Sequence, residues 1–563
     1  MIAHRAPISG IAAYRDSYVL TAGYDNQVIL WDAKSKQPLA RSNHDHLANQ
    51  GSFSPDGKYA ITSSSDYTAR LWSVPDLRLL AVFSEQEDDV EMSVFHPDKP
   101  LVATASRDHR VRVYDFSGKL VHTLVGHGAD VISVEWAQGG DELISSSDDG
   151  TIKRWSLTSG AMIGDFDMDG VETDTVAISA DGVIYAGNDE GRIIVIRGDT
   201  RTVVPAHDAG IKRLVLDVQR RLLVSLSYDR IMRLWDVSTD ELKQLGMSHL
   251  PPEVWPRSCS FAGDSHLVFA TFNATYRRYD WKSKTWESAE IPPTPGVNAV
   301  CAIGADIWTV GDAGIVRRNQ QEYSRTGSLC NFLTPAGELI FSGGQLGKVF
   351  DAYSGRELHQ HRSPLNCGVG FTKDGADHVI VGAYTGEGLV FRVSGNRADH
   401  VVDLPLHKNA VKGVAVSGDL IFSVAADSSA TWYVASTLEH LATRDRAHDK
   451  IANGCTGLSD GYFASVSRDL KLRIWDPQQQ VTVLDTPHTH SIKCVSASSD
   501  GRYVATGSYN GRVAIYDRQT GDWTKVVRPT TAGVSSLAYD SGTRLFLASS
   551  YDSHVYHIAP EHT

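Results

Sequence analysis

The chain has 563 residues, 42% of them hydrophobic and 21% charged, an ordinary globular composition that leaves little room for disorder. Its net charge of −13, most of it carried before residue 285, argues against generic binding to phosphate backbones, where Lys and Arg supply the affinity. The length exceeds one compact domain, and six scattered Cys with no Cys-x-x-Cys pair indicate reduced thiols, not a disulfide framework or a zinc site.

The opening MIAHRAPISG lacks the apolar run of a signal peptide, and no stretch approaches eighteen uninterrupted apolar residues. A cytoplasmic location with no membrane span is therefore expected. A period of about 40 residues then runs along the chain. Its best copies are YDNQVILWD (24–32), DDGTIKRWS (148–156), YDRIMRLWD (228–236) and RDLKLRIWD (468–476). In each, an Asp stands six positions before a Trp: Asp25 and Trp31, Asp149 and Trp155, Asp229 and Trp235, Asp469 and Trp475, with Asp66 and Trp72 at the same offset. Weaker copies place Tyr at the second position: Asp108 and Tyr114, Asn273 and Tyr279, Asp427 and Tyr433, Asn510 and Tyr516.

Each unit contains three short β-type runs, as in VISVEWA, ELISSS and TIKRWSL within 131–157, separated by turns such as PDG, SADG and SSDG. A fourth follows, as in KLVHTLVGH (119–127). Four strands per unit is the make-up of a propeller blade. Third strands end near residues 32, 73, 115, 156, 197, 236, 280, 319, 351, 392, 434, 476, 517 and 558. Single propellers have about four to eight blades, so fourteen units divide into two rings. The expected fold is all-β: two seven-bladed β-propellers in tandem with four-stranded antiparallel blades. The Pro-rich WKSKTWESAEIPPTPGV (281–297) separates them, giving domains 1–285 and 286–563. Either Met1 to Ala3 supply a closing strand, or the last blade lacks one.

These residues resemble the WD-repeat (β-transducin-like) family. The resemblance implies a buried set in each blade of His before the first strand, Ser or Thr on the second, Asp in the next turn and Trp on the third. Four sets match: His44, Thr62, Asp66 and Trp72; His127, Ser145, Asp149 and Trp155; His207, Ser225, Asp229 and Trp235; His448, Ser465, Asp469 and Trp475. Their expected role is structural, because buried polar groups need partners. The two-ring layout also resembles the tandem-propeller actin-interacting family, in architecture alone.

The family further implies that partners dock on the face where the His loops and Asp turns open. The residue before each Asp projects there: Tyr24, Ser65, Arg107, Asp148 and Tyr228 in the first ring, and Ala426, Arg468, Tyr509 and Tyr551 in the second. Of these, Tyr24, Arg107, Tyr228, Arg468, Tyr509 and Tyr551 are the candidate protein-binding residues, since Tyr and Arg are enriched at hot spots. Two acidic stretches, SEQEDDVE (84–91) and GDFDMDGVETD (164–174), replace the His of blades three and five and are expected on the same face. Asp165, Asp167, Asp169 and Gly170 match the first half of an EF-hand calcium loop, but Val176 stands where its bidentate Glu belongs. The pairs His44/His46, His359/His361 and His488/His490 are weaker metal candidates. No P-loop, His-Glu-x-x-His or Gly-x-Ser-x-Gly is present, so no cofactor and no catalytic residue is assigned. The expected function is a non-catalytic scaffold that holds other proteins. The alternatives are a calcium- or peptide-responsive sensor using the acidic loops, or an enzyme with a site in a propeller channel.

Overall fold

The computed structural model describes residues 2–137 and 139–561. Its regular elements are all β-strands. They form fourteen antiparallel sheets among the described residues, thirteen of four strands and a last one of three. Each sheet is a meander of consecutive strands. The chain divides into two compact units, residues 1–294 and 295–563.

In the first unit the inner strands begin at Ile8, Ala48, Val90, Val131, Thr173, Ile211 and Val254. Each packs against the next, and the seventh returns to the first. In the second unit they begin at Val297, Cys330, Leu365, Val411, Ala452, Ile492 and Val534, and the last again packs on the first. Both units are thus closed seven-bladed rings, as the repeat count predicts.

Burial explains why the strands read as they do. Second strands are covered on both faces by neighbouring blades, and Leu222–Ser227 is buried at every residue. Such strands are uniformly apolar or small, without alternation. Outer strands lie at the rim, and Pro38–Asn43 alternates half-buried with exposed. The core therefore sits between blades. Trp155 and Leu143 of blade four pack with Val111 and Ala103 of blade three. Ile8, Ile29 and Trp31 of blade one pack with Val268 and Tyr276 of blade seven, which seals the first ring. Truncating one of these buried Trp side chains to Ala costs about 3–5 kcal/mol.

Two details differ from the sequence reading. The division falls at Thr294 and Pro295, nine residues past the expected 285. Trp286 belongs to the outer strand of blade seven, Thr285–Trp286, with its ring 4.9 Å from Phe269 and 4.8 Å from Tyr279. Thr294 Oγ1 then donates to Phe272 O at 2.7 Å, holding the Pro-rich segment on the first ring. The last blade has three strands, Val534–Asp540, Leu545–Ser550 and Val555–Ile558. Ile2 packs into the seal between blades one and seven, and among the described residues the last blade has no fourth strand paired with Val555–Ile558. Its ring closes through the inner strand, where Ser535 Oγ donates to Val297 O.

Candidate interaction surface

The predicted buried sets are real contacts. In blade two, Trp72 Nε1 donates to Thr62 Oγ1 at 2.8 Å, His44 Nε2 lies 2.8 Å from the same oxygen, and His44 Nδ1 lies 3.0 Å from Asp66 Oδ2. The hydroxyl accepts from the indole, so it donates to Nε2, and the Nδ1 proton goes to the Asp. Blades four and six repeat this with Ser145 and Ser225. In blade twelve, His448 and Trp475 share Ser465 Oγ at 2.9 and 2.8 Å, while His448 Nδ1 faces Ser428 O at 3.4 Å. Each Asp also accepts the N–H two residues on, as Asp66 Oδ1 does from Thr68, which pins the turn. Burial pushes the Asp66 carboxyl up, but the hydrogen bonds from His44, Thr68 and the Asp45 N–H outweigh it and hold it well below the usual range. These sets have the composition of catalytic triads, with the hydroxyl enclosed instead of open to a substrate. The hydroxyls of Thr62, Ser145 and Ser225 are fully buried and engaged on both sides.

The structure adds sets that the sequence pattern did not reveal. His4, Thr21, Asp25 and Trp31 complete blade one. In blade three Gln86 takes the place of His, donating to Thr104 Oγ1 at 3.1 Å. Blade five fills the position with buried Met168, whose N–H donates to Gly150 O as that of His44 does to Asn26 O.

A second repeated bond fixes the mouth of each ring. The residue before the turn Asp donates its N–H to the carbonyl just before or at the start of the inner strand. Tyr24 bonds Pro7, Arg107 bonds Asp89, Tyr228 bonds Gly210, Arg468 bonds Ile451, Tyr509 bonds Ser491 and Tyr551 bonds Gly533. Tyr24, Arg107 and Tyr228 are thereby brought to one mouth, with Arg257 among all three. Arg257 Nη2 reaches Glu91 Oε2 at 3.0 Å, and Arg107 joins Glu91 and Asp130 at 2.5 Å each. Lys212 bridges Asp174 and Asp189 and lies 5.1 Å over the ring of Tyr228. Trp255 meets Tyr24 edge-on at 5.3 Å. Glu91, Asp130, Asp148, Glu172, Asp174 and Asp189 outnumber Arg107, Lys212 and Arg257. Burial, then repulsion from Glu172, Asp130 and Asp174, pushes the Asp148 carboxyl well up despite Arg107.

The acidic stretches only partly face this mouth. Glu91 reaches it, as do Glu172 and Asp174. Asp165 and Asp167 lie on the outer strand of blade four, Met162–Asp167. Asp165 pairs with Lys153 at 2.7 Å, Asp167 accepts from Gly170 N at 3.3 Å and Asp169 pairs with Arg201 at 2.8 Å. The three carboxylates are held by separate partners, and Val176 is buried on an inner strand. Among the described residues no group of three His, Cys, Asp or Glu is placed to hold a metal. In the His pairs, His44 and His488 occupy the structural position, and His359 stacks on His400 at 5.0 Å.

Many mouth groups stand at the second residue of an inner strand, a position the sequence reading did not consider. Most blades carry a register shift there, as between Ile211 and Arg213. In several it holds a short polar residue that stitches to the next blade. Asn49 donates to Val90 O at 2.9 Å, Asn331 to Leu365 O at 2.8 Å, Asn366 to Val411 O at 2.9 Å and Asn453 to Ile492 O at 2.7 Å. Elsewhere the same position holds Glu91, Asp174, Lys212, Lys412 or Lys493. In the second ring Lys412 lies 4.8 Å over Tyr384 and Lys493 5.8 Å over Tyr509. That mouth, with Arg468 and Tyr551, is cationic and aromatic. Its channel, a cavity of about 490 Å³, holds Cys301, Cys367 and Cys494. Burial pushes each of these thiols up to about 12, so none is a thiolate at neutral pH.

Comparison with known proteins agrees with this geometry. The model of the WD domain, G-beta repeat, matches residues 1–32, 42–73, 77–115, 118–156, 198–236 and 478–517. The chain carries WD repeats. It is 27% identical over 184 residues to the nuclear distribution protein nudF of Aspergillus niger, covering 28% of this chain and 42% of that one. It is 29% identical over 156 residues to transcription initiation factor TFIID subunit 5 of Caenorhabditis elegans, covering 27% and 24%. To WD repeat-containing protein 37 of Xenopus laevis it is 31% identical over 142 residues, covering 24% and 28%. The matches thus span less than half the length of each of these relatives. Five of the six matched repeats lie in the first ring; the sixth carries Asn510 in place of the turn Asp, and the blade of Asp469 and Trp475 lies outside the matches.

Proposed function

We propose that this WD-repeat protein is a non-catalytic platform that holds protein segments at two ring mouths of opposite charge. The carrying observation is the belt of Glu91, Asp130, Asp148, Glu172, Asp174 and Asp189 around the first mouth, which suits a basic segment. Lys412, Lys493 and Arg468 with Tyr384 and Tyr509 suit an acidic one at the second. One relative is by name a subunit of a transcription initiation factor, and a subunit role in a larger assembly fits here. The acid excess disfavours nucleic acid, and among the described residues no helix is long and apolar enough to cross a membrane. Six free thiols fit a reducing, cytoplasmic setting.

The test uses Asp148→Asn with Glu172→Gln. Removing mutually repelling charges raises thermal stability, so the variant folds. It should weaken a partner that presents Lys and Arg by roughly tenfold, about 1.4 kcal/mol. Quantitative native co-purification compares this variant with the unmodified chain. A partner set recovered in equal amounts from both would remove the first mouth from the proposal.

A further inference from the structure

We propose that the channel of the first ring binds a small carboxylate ligand with an apolar body, held by the guanidinium of Arg213. Arg213 stands on the inner strand of blade six, Ile211–Asp217. Its side chain crosses the channel to blade three, where Nη1 lies 3.5 Å from Met92 Sδ. Its buried Nε has no hydrogen-bond partner among the described residues. Glu135, on the inner strand of blade four, Val131–Trp136, lines the same cavity of about 430 Å³.

Two features make this a site and not a plain lumen. Arg213 is half-buried with its Nε fully buried, and folded proteins pair such cations with carboxylates. Yet among the described residues no carboxylate forms an ion pair with Arg213. Its planar fork matches a carboxylate better than a spherical anion. Ile11, Met92, Val94, Val215, Phe53 and Phe95 give the cavity apolar wall, interspersed with Gln50, Ser52, Ser93 and Ser260. Its volume falls in the range of small-molecule pockets. Burial pushes the Glu135 carboxyl up to about 7, only partly opposed by Arg213. Near neutrality it is therefore protonated in part and can donate to a ligand oxygen instead of repelling it.

The site rests on Arg213, one residue past Lys212 of the mouth, and on the cavity beyond it, and not on the mouth contacts themselves. Calorimetric titration of the full chain with hexanoate tests it, with hexan-1-ol and chloride as controls. Saturable binding of one hexanoate per chain is expected, at least tenfold tighter than hexan-1-ol. Arg213→Met should abolish it while melting no lower than the unmodified chain, because an unpaired buried charge is removed. Arg213→Lys, which keeps the charge without the fork, should bind more weakly. Equal binding of hexanoate and hexan-1-ol, absence of saturable binding, or unchanged binding by Arg213→Met would each overturn the site. So would a lower melting temperature for Arg213→Met, which would mean the guanidinium is satisfied within the ring.

Discussion

Ser225 carries two partners on one oxygen, His207 Nε2 at 2.8 Å and Trp235 Nε1 at 2.9 Å. Ser225→Ala keeps the shape and strands both nitrogens in a buried site. It should cost about 1–3 kcal/mol of stability, read by urea unfolding followed through tryptophan fluorescence. Ser225→Thr should lose less, since Thr62 performs the same role in blade two. An unchanged midpoint for Ser225→Ala would show that the hydroxyl does not hold the blade together. Residues of this kind were legible in the sequence because the Asp and Trp recur at a fixed offset around them. Tyr24, Arg107 and Tyr228 were legible for the same reason, being one step from that Asp. Arg257 and Lys212 were not, although a polar second residue in the apolar run IKRLVLD marks the position of Lys212; Arg257 is the fourth residue of its strand. The acidic stretch 164–174 misled because a strand end and a turn separate its two halves in space.

The tight turn after each Asp is the element that sets the blade's third strand. Its next residue has positive φ whether or not it is glycine: 83° at Gly511 and 78° at Ser553. A side chain there is strained, and Ser553 is exposed, so Ser553→Gly loses no packing. It should raise the stability of the second ring by about 0.5–1 kcal/mol, measured by calorimetry. Gly511→Ala should do the reverse, costing about 1–3 kcal/mol. Its Cβ would meet the carbonyl oxygens of Thr530 and Ala532. Opposite signs in these two variants check that backbone conformation sets the turn. At this scale the sequence showed third strands well and outer strands poorly. Outer strands pack one face only, and Thr285–Trp286 is two residues long, too short to carry a pattern.

The two rings should answer differently to acid. His448 and His488 in the second ring are pushed down to about 4, chiefly by burial. Between roughly pH 4 and 6.5 the unfolded chain binds more protons at these residues than the folded one. The second ring therefore loses stability as pH falls through that window, by on the order of 2–3 kcal/mol per histidine. In the first ring burial pushes His44 and His96 down in the same sense, while Glu135 has the opposite sign. Its raised carboxyl favours the folded state as pH falls from about 7 toward about 4.3. Hydrogen exchange at pH 7 and pH 5 should show protection dropping in Ala452–Gly457 and Ile492–Ala497 more than in Val131–Trp136. A uniform change in both rings would contradict this.

The stitch at the second inner-strand residue couples cohesion to occupancy. Where Asn453 ties its blade to the next, the first ring has Glu91 and Asp174, carboxylates that offer no proton to a neighbouring carbonyl. A guest bringing Lys or Arg to that mouth would add cross-blade bonds there and relieve the crowded carboxylates around Asp148. The first ring would then melt at a temperature set by how much guest is present, while the second, already stitched by its own amides, would not. One half of the molecule would report its cargo through its own firmness.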